Sequence, residues 1–319
     1  MVVQLVRDVW QNFREMEPNQ IEILRNEGRL VAKIEVQEQF YFLKGEQQTL
    51  FFMKNLITFV NKMKASGLPF TAFEKTMDGR SFVEASGMLF TLEKNLVGEE
   101  VEQLRLIHIQ EIGKMLGRQH AVSQTIRMRF NRGTSWGMFG GNETDALGDY
   151  DENELSFTQF IEQVDGFTNE IQLINELYIG KREKLKLVWD TLPSGPVQGD
   201  FCPYNLLFNA EGTITTIFDF DIAGDEVFLN ECIGVGVYLA WHCEYIDGET
   251  EWQRYQSFLQ AYESEREFSS LERESMDDLL AIVRAFRYDR IEEGISTLNG
   301  EDGGKQFVVK TLEILQLND

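Results

Sequence analysis

The stretch VQGDFCPYNLLFNAEGTITTIFDFD, residues 197–221, constrains the fold more than any other part of the chain. Two short apolar runs, 206–208 and 214–218, flank Asn209-Ala210-Glu211-Gly212, which has the composition of a tight turn between antiparallel strands. Pairing the runs across that turn carries Asp219 back beside the loop that holds Asp200 and Asn205. A single local hairpin therefore gathers two carboxylates and an amide at one end. Asp and Asn are also ordinary turn residues, so the chemistry and the order of the residues must decide whether this is a site.

The chemistry fits a metal–phosphate centre. An amide oxygen and a carboxylate are hard ligands suited to Mg2+, which takes few protein ligands and fills its sphere with phosphate oxygens and water. A separate carboxylate can accept a hydroxyl proton and orient that hydroxyl for in-line attack on phosphorus. The order has a precedent in the kinase catalytic loop, where Asp, four intervening residues and Asn precede a metal-binding Asp-Phe-Gly. Asp200, Asn205 and Asp219-Phe220-Asp221 repeat that order. Lys44 closes the upstream strand pattern QFYFLK, where a kinase places the lysine that neutralises the α- and β-phosphates. Each piece alone is weak, and the four in sequence favour a site over structural turns.

At 319 residues the chain is long enough for two lobes. IEILRNEGRLVAKIEV predicts a hairpin around Asn26-Glu27-Gly28, and QFYFLKGE a third strand. A helix is expected over 49–65, then strands near 70–76 and 81–92 around the turn at Asp78-Gly79, and a helix over 101–123. Val3, Val6, Trp10 and Phe13 recur at helical spacing near the N-terminus. Helices are expected again over 156–189 and from residue 229 onward. The fold class is thus α+β, with a small β-rich N-terminal lobe over 1–92, a hinge over 93–98 and a larger α-helical lobe over 99–319. Small-molecule sites favour a cleft between such lobes. The glycine- and acid-containing segment 131–154 matches no phosphate-loop spacing. It is expected to be a flexible surface insertion, with a lid over the substrate as the alternative.

The motif pair QGDFCPYNLLF and TIFDFDIAG resembles that of the aminoglycoside phosphotransferase and choline kinase superfamily, usually His-Gly-Asp-x-x-x-x-Asn and Ile-Asp-Phe-Asp. FLKGE is similar to that family's lysine strand, FTLEKNLVG to its hinge and IGKMLGRQH to its helix ending near Leu-His. Residues 258–290 are similar to the C-terminal helices of type II homoserine kinases and spore-coat kinase-like proteins. The resemblance implies a protein-kinase-like two-lobed fold and ATP-dependent phosphorylation of a small molecule's hydroxyl, with GTP as an alternative donor. It implies Asp200 as the catalytic base, Asn205 and Asp219 as Mg2+ ligands, and Lys44 as the phosphate lysine. The backbone near Lys94 and Leu96 would hold adenine.

Three departures stand out. Gln198 replaces the usual histidine two residues before Asp200, and Glu231 stands where the family has Asp; both are supporting positions. Lys44 lacks the acidic partner that the following helix normally supplies, since no Asp or Glu occurs between Glu46 and Glu74. Either Gln47, Gln48 or Asn55 substitutes, or Lys44 is less firmly positioned. That gap keeps open a degenerate, nucleotide-binding or structural relative without turnover. A protein kinase is disfavoured, because Asp219-Phe220-Asp221 lacks the usual Gly and no Ala-Pro-Glu follows.

Among other polar residues, His108 is expected to pack mid-helix and His120 to cap helix-end carbonyls. His242 with Trp241 and Glu244 is expected to pack in the core, an acceptor pocket being the alternative. Asp221 stands open between facing the metal and capping the turn. The balance of 30 basic and 53 acidic residues, a net charge of −23, argues against nucleic acid and anionic membranes as partners. With acids over 145–154 and 225–249, it favours a cationic acceptor such as an aminoglycoside, choline or homoserine. Cys202, Cys232 and Cys243 form no disulfide framework and are expected to be idle thiols. No apolar run approaches the roughly 20 residues that span a bilayer. Arg7 and Asp8 interrupt any secretory-signal pattern, so a cytoplasmic location is expected. Nothing in the sequence fixes an oligomeric state.

Overall fold

The computed structural model describes residues 2–94, 96–140, 151–164, 166–298 and 303–318. The chain begins with α1 (Val2–Trp10), β1 (Gln20–Glu27), β2 (Arg29–Val36), β3 (Gln39–Glu46), α2 (Leu50–Ala65), β4 (Val83–Ala85) and β5 (Met88–Lys94). It continues through α3 (Leu106–Ser123), α4 (Glu152–Gln163), α5 (Thr168–Val188) and β6 (Ser194–Val197) to the hairpin β7 (Leu206–Phe208) and β8 (Ile214–Ile217). Then come β9 (Gly224–Val227), α6 (Phe228–His242), α7 (Glu251–Glu263), α8 (Ser270–Ala285), α9 (Tyr288–Ser296) and α10 (Gly303–Gln316). Two compact units result: residues 1–101 with 203–219, and residues 102–202 with 220–319. The expected α+β class, strands first and helices after, is what the chain forms.

In the first unit an antiparallel sheet runs in the order β1-β2-β3-β5-β4. The β1–β2 turn closes at Gly28, whose φ of +70° is free for glycine and costly for most residues. Strand alternation then sorts the side chains. Leu30, Ala32, Ile34 and Val36 of β2, Tyr41 and Leu43 of β3, and Phe90 and Leu92 of β5 are buried on one face. There they pack with Val6, Val9, Trp10 and Phe13 of the N-terminal segment, Trp10 meeting Tyr41 edge-on at 5.2 Å. Each large apolar side chain so buried contributes about 2 kcal/mol. Val3, expected on this apolar stripe, is 43% exposed, and Val9 takes its place because the stripe follows the turn that meets the sheet. The opposite face carries the alternate residues, including Arg29, Val31, Lys33, Phe42, Lys44 and Glu93. Helix α2 starts at Thr49, whose hydroxyl accepts the Phe52 N–H at 3.1 Å.

Two expected strands differ. Residues 70–76 make only single bridges, Phe70 to Ile217 and Phe73 to Glu93, because their backbone is shared between β8 and β5. The 81–92 run is broken by Ser86-Gly87, with φ of +51° and +75°, into the two-residue hairpin joining β4 and β5.

The β7–β8 hairpin forms as expected, with Leu206 opposite Ile217 and Asn209 accepting the Glu211 and Thr213 N–H groups. It belongs to the first unit. Phe208 and Glu99 exchange both backbone hydrogen bonds, at 3.0 and 2.9 Å. Thr216 Oγ1 accepts the Val97 N–H and donates to the Val97 carbonyl, at 3.1 and 2.8 Å. Ile217 donates to Pro69 and accepts from Thr71.

In the second unit β6 and β9 form a short antiparallel ladder that the sequence did not announce, with Val197 opposite Gly224. Helices α3 and α7 cross closely, because a side chain at Gly113 would come within 2.6 Å of the Phe258 carbonyl. Helix α3 starts five residues later than expected, since Leu104 bridges to Tyr245 and pairs with the Glu244 and Ile246 backbone. His108 therefore lies in its first turn rather than mid-helix, its Nδ1 accepting the Arg105 N–H at 3.1 Å. Of the segment expected to be flexible, Asn131 and Gly133 are tied to Asp225 and Thr134 is buried. Asp151 caps α4, and residues 141–150 lie outside the described residues. Among the described residues no helix is long and apolar enough to cross a membrane.

Gly98 joins β5 to the hairpin with a φ of +115°, and a side chain there would strike Thr215 and come within 2.9 Å of the Phe208 carbonyl. Gly98→Ala is expected to destabilise the protein by about 2 kcal/mol or more, from backbone strain and overpacking. A denaturation midpoint equal to that of the wild type would contradict this account of the joint.

Candidate active site

Lys44 sits on the open face of β3. Register places it opposite Thr91, with Phe42 opposite Glu93, so Lys44 and Glu93 are diagonal neighbours on one face. Their side chains meet, Lys44 Nζ lying 3.2 Å from Glu93 Oε1, with Glu93 only 1% exposed. This is the acidic partner that α2 does not supply. It comes from the strand two places along the sheet order from β2, not from a helix. Burial works against the Lys44 ammonium, but Glu93 and Asp219 overcome it and the net shift of its pKa is upward. Burial pushes the Glu93 carboxyl up, and Lys44 opposes that push.

Asp219 follows β8 in a left-handed conformation with φ of +60°. Among non-glycine residues Asp and Asn tolerate this region best, and such outliers gather at functional sites. The next residue back, Phe218, donates its N–H to the Asn205 carbonyl at 3.1 Å, so the hairpin does bring Asn205 and Asp219 to the same end. Asn205, in a one-turn 3-10 segment, is 5% exposed. The Asp219 carboxylate faces the guanidinium of Arg29, Oδ1 and Oδ2 each lying 3.4 Å from a terminal nitrogen.

Lys44, Glu93, Arg29 and Asp219 open into a cavity of about 750 Å³ within the first unit. Lys44, Glu93, Arg29 and Asp219 form its charged part, while Val31, Phe42, Leu96 and Leu207 line it with apolar surface. Of the two expected adenine-side residues, Leu96 lines this cavity. Lys94 projects from the other face of the sheet, its ammonium 5.4 Å from the Tyr41 ring centre, so only its backbone is available on the cavity side. The donor set fits a hard divalent cation, since an amide and a carboxylate stand at one hairpin end and the carboxylate already attracts a cationic group.

In the second unit, Asp200 lies on a loop fastened from three sides. Gln198 Oε1 accepts the Asp200 N–H at 2.8 Å, and the Cys202 N–H donates to the Asp200 carbonyl at 2.8 Å. Glu231 Oε1 accepts the Gly199 N–H at 3.1 Å. Gly199 has a φ of +85° and its Cα packs on the Ile222 carbonyl, so no side chain fits there. Gln198, 0% exposed, thus holds the loop through the acceptor it offers the Asp200 N–H.

Behind Glu231 lies a buried polar chain. His120 Nε2 and Glu231 Oε2 are 2.5 Å apart, Nδ1 and the Tyr262 hydroxyl 2.7 Å, and Arg266 donates to that hydroxyl at 2.9 Å. His120 does not cap the helix end as expected, because complete burial turns its ring into a link of this chain. Burial and then Arg266 hold the imidazole well below the usual histidine range. Burial also lifts Glu231 to about 8, the Gly199 N–H working against it and Asp200 with it.

The remaining candidates make contacts of their own. Trp241 packs on Trp252 and Tyr255, His242 Nδ1 lies 3.2 Å from Asp289, and Glu244 accepts from Gln103. The Asp221 carbonyl accepts from Arg132. Most of the acids expected to attract a cationic acceptor have other work. Asp151 pairs with Arg182, Glu226 accepts from Thr134, Asp247 caps α3, and those at 145–150 lie outside the described residues. The three cysteines are free thiols.

A family model for the phosphotransferase enzyme family matches residues 64–269. The chain belongs to that family. The matched span contains Glu93, Asp200, Asn205 and Asp219 and begins beyond Lys44. The chain is 30% identical over 106 residues to the homoserine kinase of two Caulobacter vibrioides strains. That match spans only 33% of this chain and 32% of the relative, so the chain matches about a third of the length of these curated relatives. Similar solved structures include an amicoumacin kinase in complex with AMP-PNP and Ca2+, with 16% identity and a TM-score of 0.65 over 98% of this chain and 93% of that one. A microcompartment-associated aminopropanol kinase has 16% identity and a TM-score of 0.61 over 99% and 96%. An aminoglycoside phosphotransferase from Alicyclobacillus acidocaldarius has 13% identity and a TM-score of 0.61 over 98% and 93%. At these identities the likeness is one of fold, that of small-molecule kinases.

Two expectations follow. In Glu93→Gln, burial is left without its strongest opponent, so the Lys44 pKa falls below the ordinary lysine value; NMR titration of labelled lysine reads this, and an unchanged midpoint would refute the pairing. Glu231, raised in the folded state from 4.5 to about 8, contributes stability that is full below 4.5 and lost as pH rises through 8. Relative to wild type, Glu231→Gln is therefore expected to gain stability as pH rises across that window. Parallel stability curves for the two proteins would rule out the shift.

Proposed function

We propose that the chain is an ATP-dependent kinase that phosphorylates a hydroxyl of a small, amine-bearing alcohol. The observation that carries this reading is the first-unit cavity, where apolar walls lead to Lys44 and Asp219, with Asn205 tied through its carbonyl to Phe218 beside Asp219. A volume of about 750 Å³ suits a nucleotide. Val31, Leu96 and Leu207 offer apolar surface to a base, and the backbone beside Lys94 and Leu96 offers hydrogen bonds to its edge. Lys44, kept charged by Glu93, neutralises the α- and β-phosphates. Asn205 and Asp219 would hold Mg2+, which would offset the negative charge that develops on the phosphate oxygens.

Asp200 accepts the acceptor's hydroxyl proton. As it does so, the acceptor oxygen forms a bond to the γ-phosphorus, and the bond from that phosphorus to the β-bridging oxygen breaks, leaving ADP. The three fastenings of the Asp200 loop fix the direction of the carboxylate, and in phosphoryl transfer positioning supplies most of the rate. The amine-bearing acceptor is supported by the net charge of −23 and by the names of the similar kinases, which include amicoumacin, aminopropanol and homoserine kinases. The sequence feature that favoured a non-catalytic relative was the missing partner of Lys44. Glu93 fills that place.

Asp200→Asn is expected to abolish turnover, by about a thousandfold or more for a lost general base in a positioned site, and to leave nucleotide binding intact. Asp219→Ala should abolish the metal-dependent rise in melting temperature with ATP. Turnover in Asp200→Asn against a panel of amino alcohols, aminoglycosides and sugars would sink the assignment.

A further inference from the structure

Arg29 opens β2 directly after the Gly28 turn and points to the same sheet face as Lys44. Its guanidinium lies fork-on-fork against Asp219, with Nη1 3.4 Å from Oδ1 and Nη2 3.4 Å from Oδ2. Charge-assisted pairs of this kind close to about 2.8 Å when tight, so this one is loose. A second carboxylate is within reach, Glu46 Oε1 lying 3.8 Å from Nη1. Arg29 and Asp219 are about one-fifth to one-quarter exposed and both line the cavity. Two cations, Arg29 and Lys44, thus share one face with three carboxylates, Glu46, Glu93 and Asp219.

We propose that Arg29 is a movable counter-ion of the nucleotide site, holding the Asp219 carboxylate before ligand arrives and passing to the nucleotide's β- and γ-phosphate oxygens when a divalent cation takes Asp219. The inference rests on the nucleotide reading of this cavity. A dication on Asp219 cannot share both carboxylate oxygens with a guanidinium, since like charges at contact distance repel strongly in a half-buried site. The guanidinium must then leave, and the nearest new anion is the phosphate chain that accompanies the metal. Its planar fork matches phosphate oxygens in pairs, which the single ammonium of Lys44 cannot do. Glu46, on the strand beside it, keeps the guanidinium on this face during the exchange. The loose 3.4 Å geometry and the glycine turn next to Arg29 suit a side chain with two resting places.

Calorimetric titration of wild type and Arg29→Gln with Mg2+ alone, Mg2+·ATP, Mg2+·ADP and adenosine tests this. Arg29→Gln is expected to bind Mg2+ alone more tightly and Mg2+·ATP and Mg2+·ADP about tenfold more weakly, the loss of one charge-assisted contact. Adenosine should bind both proteins equally. If Arg29→Gln fails to fold, Arg29→Lys carries the test: it keeps the charge without the fork, so Mg2+·ATP should weaken by a smaller factor. Unchanged Mg2+·ATP affinity, or a loss equal for adenosine and ATP, would overturn the role of Arg29 and leave the nucleotide reading standing. A wild-type protein that binds neither ATP nor ADP would overturn that reading and the role of Arg29 with it.

Discussion

The backbone pairing that returns residues 203–219 to the first unit sets the conditions for the rest of the site. Glu99 with Phe208, Val97 with Thr216, and Pro69 and Thr71 with Ile217 tie the hairpin to the strand ends and the α2–β4 connection. Without those bonds, Asn205 and Asp219 would have no fixed place relative to Lys44. With them, the proposed metal ligands and the proposed phosphate lysine share one compact unit, and Asp219 and Lys44 share one cavity. Asp200 stands three residues before the chain enters that unit and is fastened independently by the second. The motif that looks continuous in sequence is therefore built from two supports. One holds Lys44 and Asp219, and the other fixes the loop of Asp200, the proposed base.

The charged face of the sheet follows from alternation alone. Once Leu30, Leu43 and Leu92 are committed to the core, period-two geometry sends Arg29, Lys44 and Glu93 to the other side. The cost of holding an ammonium there is met by a carboxylate one diagonal away, on a rigid central strand. A helix-borne partner can leave when its helix shifts. A partner on β5 keeps its backbone place beside Lys44 for as long as the β3–β5 ladder holds. The place of Lys44, the proposed phosphate lysine, is thus set by sheet register and not by the placement of α2.

Much of this was legible in the sequence, for physical reasons that differ by element. The Gly28 and Gly212 turns, the Thr49 cap and the alternation of β2 announce themselves locally, and those elements formed where expected. The β6–β9 ladder did not, because Ser194-Gly195-Pro196-Val197 carries little strand pattern and its partner is remote. Residues 70–76 looked like a strand by composition, yet their hydrogen bonds are divided between two neighbours. Glu93 was hidden by its place at the start of an expected hinge. Counting alternation outward from Phe90 and Leu92 along β5 would have put it on the Lys44 face. Arg29 could not be found that way, since its contact with Asp219 joins residues far apart in sequence through the hairpin's return.

The two substitutions in the Asp200 loop show what that loop requires. Gln198 has no acid–base function near neutrality, yet its amide oxygen takes the Asp200 N–H as an imidazole nitrogen would. The requirement is an acceptor of fixed direction in a dry place, and an amide meets it without a titrating group beside the base. Glu231 is one methylene longer than the aspartate it replaces, and its far oxygen is met by His120, with Gln119 at 3.2 Å. Extra reach would loosen a carboxylate in water. Here the buried chain through Tyr262 to Arg266 takes up the slack, so the near oxygen still finds Gly199 at 3.1 Å. The longer side chain and the buried His120 act together as one anchor.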